Sequence, residues 1–272
     1  MGLHALQQRL TEELEENLLI LAAGHPTTEV GEVYEDIELY FEATACCALL
    51  VSADRVSFQK HLCWSALARQ DFLRRGHAEG HADGFRHARS RSEALFRAVA
   101  AGDMALAITV GDLSPETWRP EGEYEEDFAY HLFLHRLMKG APRLECEKAL
   151  RALDSAVGSA LSPRLEVCQA LQEGSSEAFD DALTRLIDAH ASLQDEARTY
   201  SSDIPTFEPR SRIFVEGLAL LRLAASTGIS LPIRDHAFCP TLGRGQPLRD
   251  RPDDLFAELA AVAARSASRQ RP

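Results

Sequence analysis

The sequence predicts an all-α protein of stacked antiparallel helix pairs, and three observations predict it. Apolar residues recur at steps of three and four along most of the chain. Twice, an apolar helical stretch is followed by a Gly, a capping residue and a second apolar stretch. Pro and Gly, which punctuate such patterns, concentrate in a few short segments, above all residues 229–252. With 272 residues, 45% of them hydrophobic, the chain is long enough to bury a sizeable core without staples. One helical domain over residues 1–268 is expected. It comprises acidic N-terminal helices over 1–90, a helical core over 91–240, and a strap with a last helix over 241–268, before a tail at 269–272.

The elements follow in order. Leu3, Leu6, Leu10, Leu14, Leu18 and Leu21 make one apolar stripe opposite Glu12, Glu13, Glu15 and Glu16, and Gly24-His-Pro26 ends that helix. A second helix is expected from about Glu32 to Ala53, with Val33, Ile37, Tyr40, Phe41, Thr44 and Cys47 inward, and a third from Val56 to Arg75. Residues 76–90 carry three glycines and three histidines (His77, His81, His87) among arginines, and read as a solvated loop or a frayed, poorly packed helix.

Helical grammar resumes at Ser92. Gly102-Asp103 closes one helix and caps the next, and Gly174-Ser175 does the same between Cys168 and Leu183. Two such hairpins predict a tetratricopeptide-like helical array, without a regular repeat period. Residues 115–122 read as a loop leading into a helix from about Glu123 to Lys139. Pro142 starts another helix that stops near Gly158. Residues 201–209 form a second loop before an apolar helix from Arg212 to Ser226, closed by Gly228. The segment 229–252, with Pro232, Pro240, Gly243, Gly245, Pro247 and Pro252, reads as an extended strap. An Ala-rich helix follows from about Asp253 and ends in a frayed tail.

Charge narrows the function. Lys and Arg total 29 against 42 Asp and Glu, a formal net charge of −13, the reverse of the basic stripe that phosphate tracking demands. No nucleic-acid partner is expected. No run approaches the ~20 apolar residues of a membrane helix, and the N-terminus lacks the basic and apolar regions of a secretory signal. The six cysteines (Cys46, Cys47, Cys63, Cys146, Cys168, Cys239) lie in apolar stretches without metal-site spacing, and read as reduced, buried side chains. A cytoplasmic protein without a membrane partner is the expectation.

Two acidic runs stand out. Residues 1–50 carry ten Asp and Glu against Arg9 alone, and Glu121-Gly-Glu-Tyr-Glu-Glu-Asp127 precedes a helix whose positive end favours carboxylates. The ordinary role of such runs is a solvated face or a helix end. Tyr34 and Tyr124 shift the balance, because tyrosine among carboxylates supplies the rigid area and hydrogen bond typical of interface centres. The candidate partner-binding residues are therefore Tyr34, Glu35, Asp36, Glu38, Glu123, Tyr124, Glu125, Glu126 and Asp127. If both runs share a face, that face suits a basic protein.

For catalysis the signals are thin. His131 and His135 stand at the i, i+4 spacing of zinc ligands, with Glu126 and Asp127 one turn upstream, but Leu132 stands where a metalloprotease needs Glu. No nucleophile elbow and no glycine-rich phosphate loop occurs. No catalytic residue, metal ligand or cofactor is assigned.

Three phrases carry a resemblance. Phe96-Arg-Ala-Val-Ala-Ala-Gly-Asp103, Tyr124-Glu-Glu-Asp-Phe-Ala-Tyr-His-Leu-Phe-Leu134 and Phe214-Val-Glu-Gly-Leu-Ala-Leu-Leu-Arg-Leu-Ala-Ala-Ser-Thr-Gly228, followed by Phe238-Cys-Pro240, resemble the bacterial immunity protein 49 family. Members of that family neutralise toxins of polymorphic and contact-dependent secretion systems. The resemblance implies an all-helical, non-catalytic cytoplasmic protein that binds a cognate toxin and occludes its active site or substrate access, with no cofactor. A net charge of −13 would suit a basic toxin. Two alternatives stay open: a tetratricopeptide-like protein-binding adaptor, and a metal-dependent helical enzyme using His131 and His135.

Overall fold

In the computed structural model, which describes residues 2–91, 93–231 and 235–261, helices α1 (Leu3–Ala22), α2 (Thr27–Ser52) and α3 (Arg55–Glu79) pack in sequence. Next come α4 (Ala94–Ala101), α5 (Met104–Leu113), α6 (Glu125–Met138), α7 (Arg143–Val157), α8 (Pro163–Glu173) and the long α9 (Ser176–Ser201). The short α10 (Phe207–Arg210) and the apolar α11 (Val215–Ser226) complete the body, and a last helical stretch covers 255–261. Among the described residues there is no β-strand, so the fold is all-α. Ser92, Pro232, the tail at 269–272 and the end of the expected last helix lie outside the described residues.

Both predicted hairpins form by the expected chemistry. Gly102 and Gly174 end α4 and α8 in the left-handed region, at φ of 91° and 71°, where a Cβ would be strained. Asp103 then accepts from the Leu106 amide and Ser175 from the Ala178 amide, which starts α5 and α9. Neighbouring helices pack as successive pairs, while α11 crosses back onto α4 and closes the array. The core runs from Leu14 and Tyr34 through Phe72, Phe133 and Phe179 to Phe256, and all six cysteines are free and buried.

The strap is bolted down by polar contacts. Arg55, Gln59 and Arg222 donate to carbonyls of Gly245 and Gln246, Trp64 donates to the Asp253 carbonyl, and Arg251 pairs with Asp103. Phe256 then enters the core beside Tyr34, with ring centroids 6.3 Å apart.

Three boundaries differ from the sequence expectation. First, α2 begins at Thr27 instead of near Glu32, because the Glu79 carboxylate, 52 residues away, accepts from both the Thr27 amide and its hydroxyl at 2.7 Å. That distant cap supplies what Pro26 cannot. Second, residues 76–90 are only in part the expected loop: 80–84 form an exposed turn, while both ends of the stretch are structured and packed. Helix α3 continues to Glu79, 3₁₀ turns form at Phe85–His87 and Arg89–Arg91, and Gly76, His87 and Arg89 are buried. The glycine is the reason: its missing Cβ leaves room for the His87 ring, which stacks on Phe72 at 4.4 Å. Third, a turn of helix, α10, interrupts the 201–209 loop, and α11 starts at Val215 instead of Arg212.

The same device recurs between α5 and α6. A Cβ on Gly111 would fall inside the His135 ring, so only glycine lets the two helices approach. Gly111→Ala should therefore destabilise the protein by about 2 kcal/mol through overpacking. The cost should shrink in a His135→Ala background, as urea denaturation of the four proteins of that cycle will read. Equal costs in both backgrounds would contradict the contact.

Candidate functional site

A cleft of about 680 Å³ opens where α2, the segment before α4, the 115–124 loop and the first turn of α6 converge. It brings the two acidic runs together. Glu35 and Glu38 come from one; Glu121, Glu123, Tyr124 and Asp127 come from the other; Glu93, Arg91, Arg97 and Arg210 complete its charged lining.

Each side chain has an identifiable support. Glu35 pairs with Arg86 and lies 3.8 Å from Arg91. Glu123 is fixed by the Ser90 amide, which donates to its carboxylate at 2.9 Å, and by the Trp118 indole, which donates to its carbonyl at 3.1 Å. The loop itself is anchored by Arg89, a buried guanidinium that donates to the carbonyls of Gly111, Ser114 and Pro115. Burial lowers the Arg89 pKa to about 10, still fully charged at neutral pH. Asp127 accepts from Arg164 at 2.9 Å, and Arg164 also grips Glu216 at 2.8 Å.

Beneath the cleft sits a buried ion cluster. Arg97, only 3% exposed within the apolar α4, meets Glu38 at 2.8 Å, Glu42 at 2.7 Å and Glu93 at 3.2 Å. Arg210 adds a second guanidinium 3.2 Å from Glu42 and 3.5 Å from Glu93. Burial alone would raise the Glu42 pKa, but Arg210 and Arg97 outweigh it and hold it below the usual carboxylate range. Glu38 responds in the opposite sense: burial pushes it up to about 7 despite Arg69 and Arg97. The cluster ties α2 to α4 and α10, and its arginines are already engaged by carboxylates of the same chain.

A smaller cavity of about 250 Å³ adjoins the cleft and shares Glu93, Arg97 and Arg210 with it. Its remaining lining mixes Phe96, Leu193, Phe207, Ile213, Phe214 and Val215 with Glu42, Arg164, His190, Gln194 and Glu216.

Of the nine residues predicted to bind a partner, five meet in the cleft: Glu35, Glu38, Glu123, Tyr124 and Asp127. Tyr124 is 78% exposed and presents its ring to solvent. Tyr34 is the clearest correction. It is 1% exposed, donates to the Asp71 carboxylate and packs on Phe72. Its spacing with Val30, Ile37 and Phe41 already marks the core face of α2. Asp36 is half-buried outside the cleft, where burial and then Glu32 and Glu35 raise its pKa. Glu125 and Glu126 stand exposed on the first turn of α6, outside the lining. Sequence reasoning missed Arg97, Arg210 and Glu93, although a lone arginine in the apolar run of α4 was a readable signal.

The i, i+4 histidines do not converge on a metal. The His131 Nδ1 sits 2.8 Å from the Asp127 carbonyl, and its ring packs on Phe96 and Tyr130. His135 instead fits over Gly111, with Asp112 at 3.2 Å from its Nε2. Among the described residues no group of three His, Cys, Asp or Glu could hold a metal ion. No helix there is long and apolar enough to cross a membrane.

Two outcomes follow for the site's scaffold. Arg97→Met should cost about 3–5 kcal/mol in urea denaturation at pH 7, because it removes the guanidinium that buried Glu38 and Glu42 share; a loss below 1 kcal/mol would contradict the clamp. His131 is one pH-sensitive element, alongside His87, whose pKa burial also lowers to about 4. Burial depresses the His131 pKa to about 4, so the unfolded chain binds more protons below pH 6.5, and stability contributed by the neutral ring is lost as pH falls from 6.5 toward 4. Glu38, with its raised pKa, works in the opposite sense over the same window. The test is therefore the difference between wild type and His131→Phe, which should change by about 3 kcal/mol across that window. A pH-independent difference would show that the ring titrates alike in the folded and the unfolded chain.

Residues 35–239 match the family model described as Immunity protein 49. The match takes in most of α2 and all of α3, so it begins well upstream of the phrases that carry the resemblance in the sequence. No curated protein and no solved structure matches the chain.

Proposed function

The chain belongs to the immunity protein 49 family, and from that premise we propose that it binds a cognate secreted toxin in the cytoplasm and neutralises it by covering its active site or its substrate access. The cleft that joins the two acidic runs carries this reading. It offers carboxylates on a rigid scaffold, an exposed tyrosine at the rim, and a body of net charge −13. That combination favours encounter with a basic protein domain and resists polyanions. A toxin that attacks nucleic acid or nucleotides has such a basic surface, and the acidic cleft would compete there with phosphate.

No chemical step is needed for such a role. The inhibitor only has to present a fixed surface, and the Arg97 cluster below the cleft fixes it. The carboxylates left at the rim, Glu121 and Glu123, act mainly through the rate of association, because long-range attraction steers the encounter.

Glu121→Lys combined with Tyr124→Lys should leave the thermal midpoint within about 2 °C of wild type, since both positions line the cleft and are exposed, and surface substitutions change stability little. The double variant should slow association with the toxin at least about tenfold at low salt, and the gap should narrow as salt rises. Stopped-flow association, paired with growth rescue of cells expressing the toxin, checks this. Unchanged association at low salt would remove the cleft from the interface, and failure of the wild-type chain to rescue growth would overturn the immunity role.

A further inference from the structure

The cleft and its neighbouring cavity differ in chemistry and share one wall. Glu93, Arg97 and Arg210 line both, so the two spaces adjoin across this cluster, and a chain laid over it would reach both as one furrow. Resting on the immunity reading, we propose that this furrow takes a single protruding segment of the toxin, one that carries a basic side chain and, a few residues along, an aromatic or large aliphatic one.

The acidic end is built for a cation. Glu121 and Glu123 stand at the cleft beside the exposed Tyr124, and Glu123 Oε1 is shut from water without a hydrogen-bond partner among the described residues. The nearby guanidiniums are occupied: Arg97 by Glu38 and Glu42, and Arg91 in part by Glu35. A guanidinium or ammonium entering here meets the exposed Glu121 carboxylate and an aromatic rim, against which cations also pack favourably.

The other end is built for an apolar group. Its charged members are tied to one another, Arg164 to Glu216 at 2.8 Å and Arg210 to Glu42 at 3.2 Å, and the His190 ring stacks on Phe214, so little uncompensated charge faces an incoming side chain. At about 250 Å³ it has room for a ring, since a cavity of about 150 Å³ admits benzene. Phe207 and Phe214 form its walls and Leu193, 62% exposed, its lip. The order of the occupant follows: cation toward Tyr124, apolar side chain toward Leu193. A second copy of this chain is disfavoured by its own net charge of −13, and a nucleic-acid strand by the carboxylates.

The test uses the full chain and synthetic peptides. Acetyl-Arg-(Gly)n-Phe-amide with one to four glycines is titrated against one-armed peptides in which Gly replaces Arg or Phe, with backbone amide shifts as the readout. At the best spacer the two-armed peptide should bind at least about tenfold more tightly than either one-armed peptide. It should shift amides both at 121–124 and at 193–194. Glu121→Lys with Tyr124→Lys should reduce binding to the Phe-only level and abolish its salt dependence. Leu193→Asp, on an exposed position, should reduce it to the Arg-only level. A two-armed peptide no tighter than its parts at every spacer, shifts confined to other surfaces, or equal binding of the Glu-(Gly)n-Phe series would overturn the proposal. Loss of peptide binding while the chain still rescues cells from toxin overturns the furrow alone; peptide binding without rescue overturns the immunity role and leaves the furrow standing.

Discussion

Everything at the candidate site depends on one buried guanidinium. Arg97 sits in an apolar helix, almost wholly removed from water, where an unpaired charge would cost several kcal/mol. It is tolerated because Glu38 and Glu42 reach it from successive turns of α2 and Glu93 caps the third side. The requirement runs both ways, since the two glutamates are as buried as the arginine. Helices α2 and α4 must therefore meet in one register, with α10 bringing Arg210 to the remaining carboxylate oxygens. A hydrophobic replacement of the whole cluster could be equally stable. What the charges add is a fixed relation between the acidic helix and the loop opposite.

The cleft is a consequence of that register. With Glu38 and Glu42 turned inward, the acidity presented to a partner comes from the rim, where Glu121 and Glu123 are held by a loop that Arg89 and Trp118 keep in place. The split between inward and outward carboxylates separates two jobs. Inward ones set geometry and respond to burial, with Glu38 raised to about 7 and Glu42 lowered by its arginines. Of the outward ones, the exposed Glu121 remains free to meet a cation.

Local chemistry was legible in the sequence, and distant chemistry was not. Gly102-Asp103 and Gly174-Ser175 specify their turns within a few residues, and both hairpins could be read directly. The start of α2 could not, since its cap is Glu79, at the far end of the next helix. The histidine-rich stretch after Arg75 looked like a solvated loop because its packing depends on a ring filling the space left by Gly76, a contact no periodicity announces. At the site, five of nine candidate residues meet in the cleft because both acidic runs were visible as composition. Tyr34 misled because its carboxylate neighbours in sequence point elsewhere, while its own side chain follows the core face with Ile37 and Phe41. Arg97 and Arg210 became meaningful only once α2, α4 and α10 were placed together.

The central claim is that the acidic cleft is the surface the toxin covers. Amide hydrogen exchange of the full chain, alone and with the toxin from which it is proposed to protect, tests this most directly. The account predicts new protection at residues 85–91, 119–127 and 190–194, around the cleft and its adjoining cavity. Protection confined to the exposed faces of α1 or α7, with those three segments exchanging as in the free chain, would contradict it.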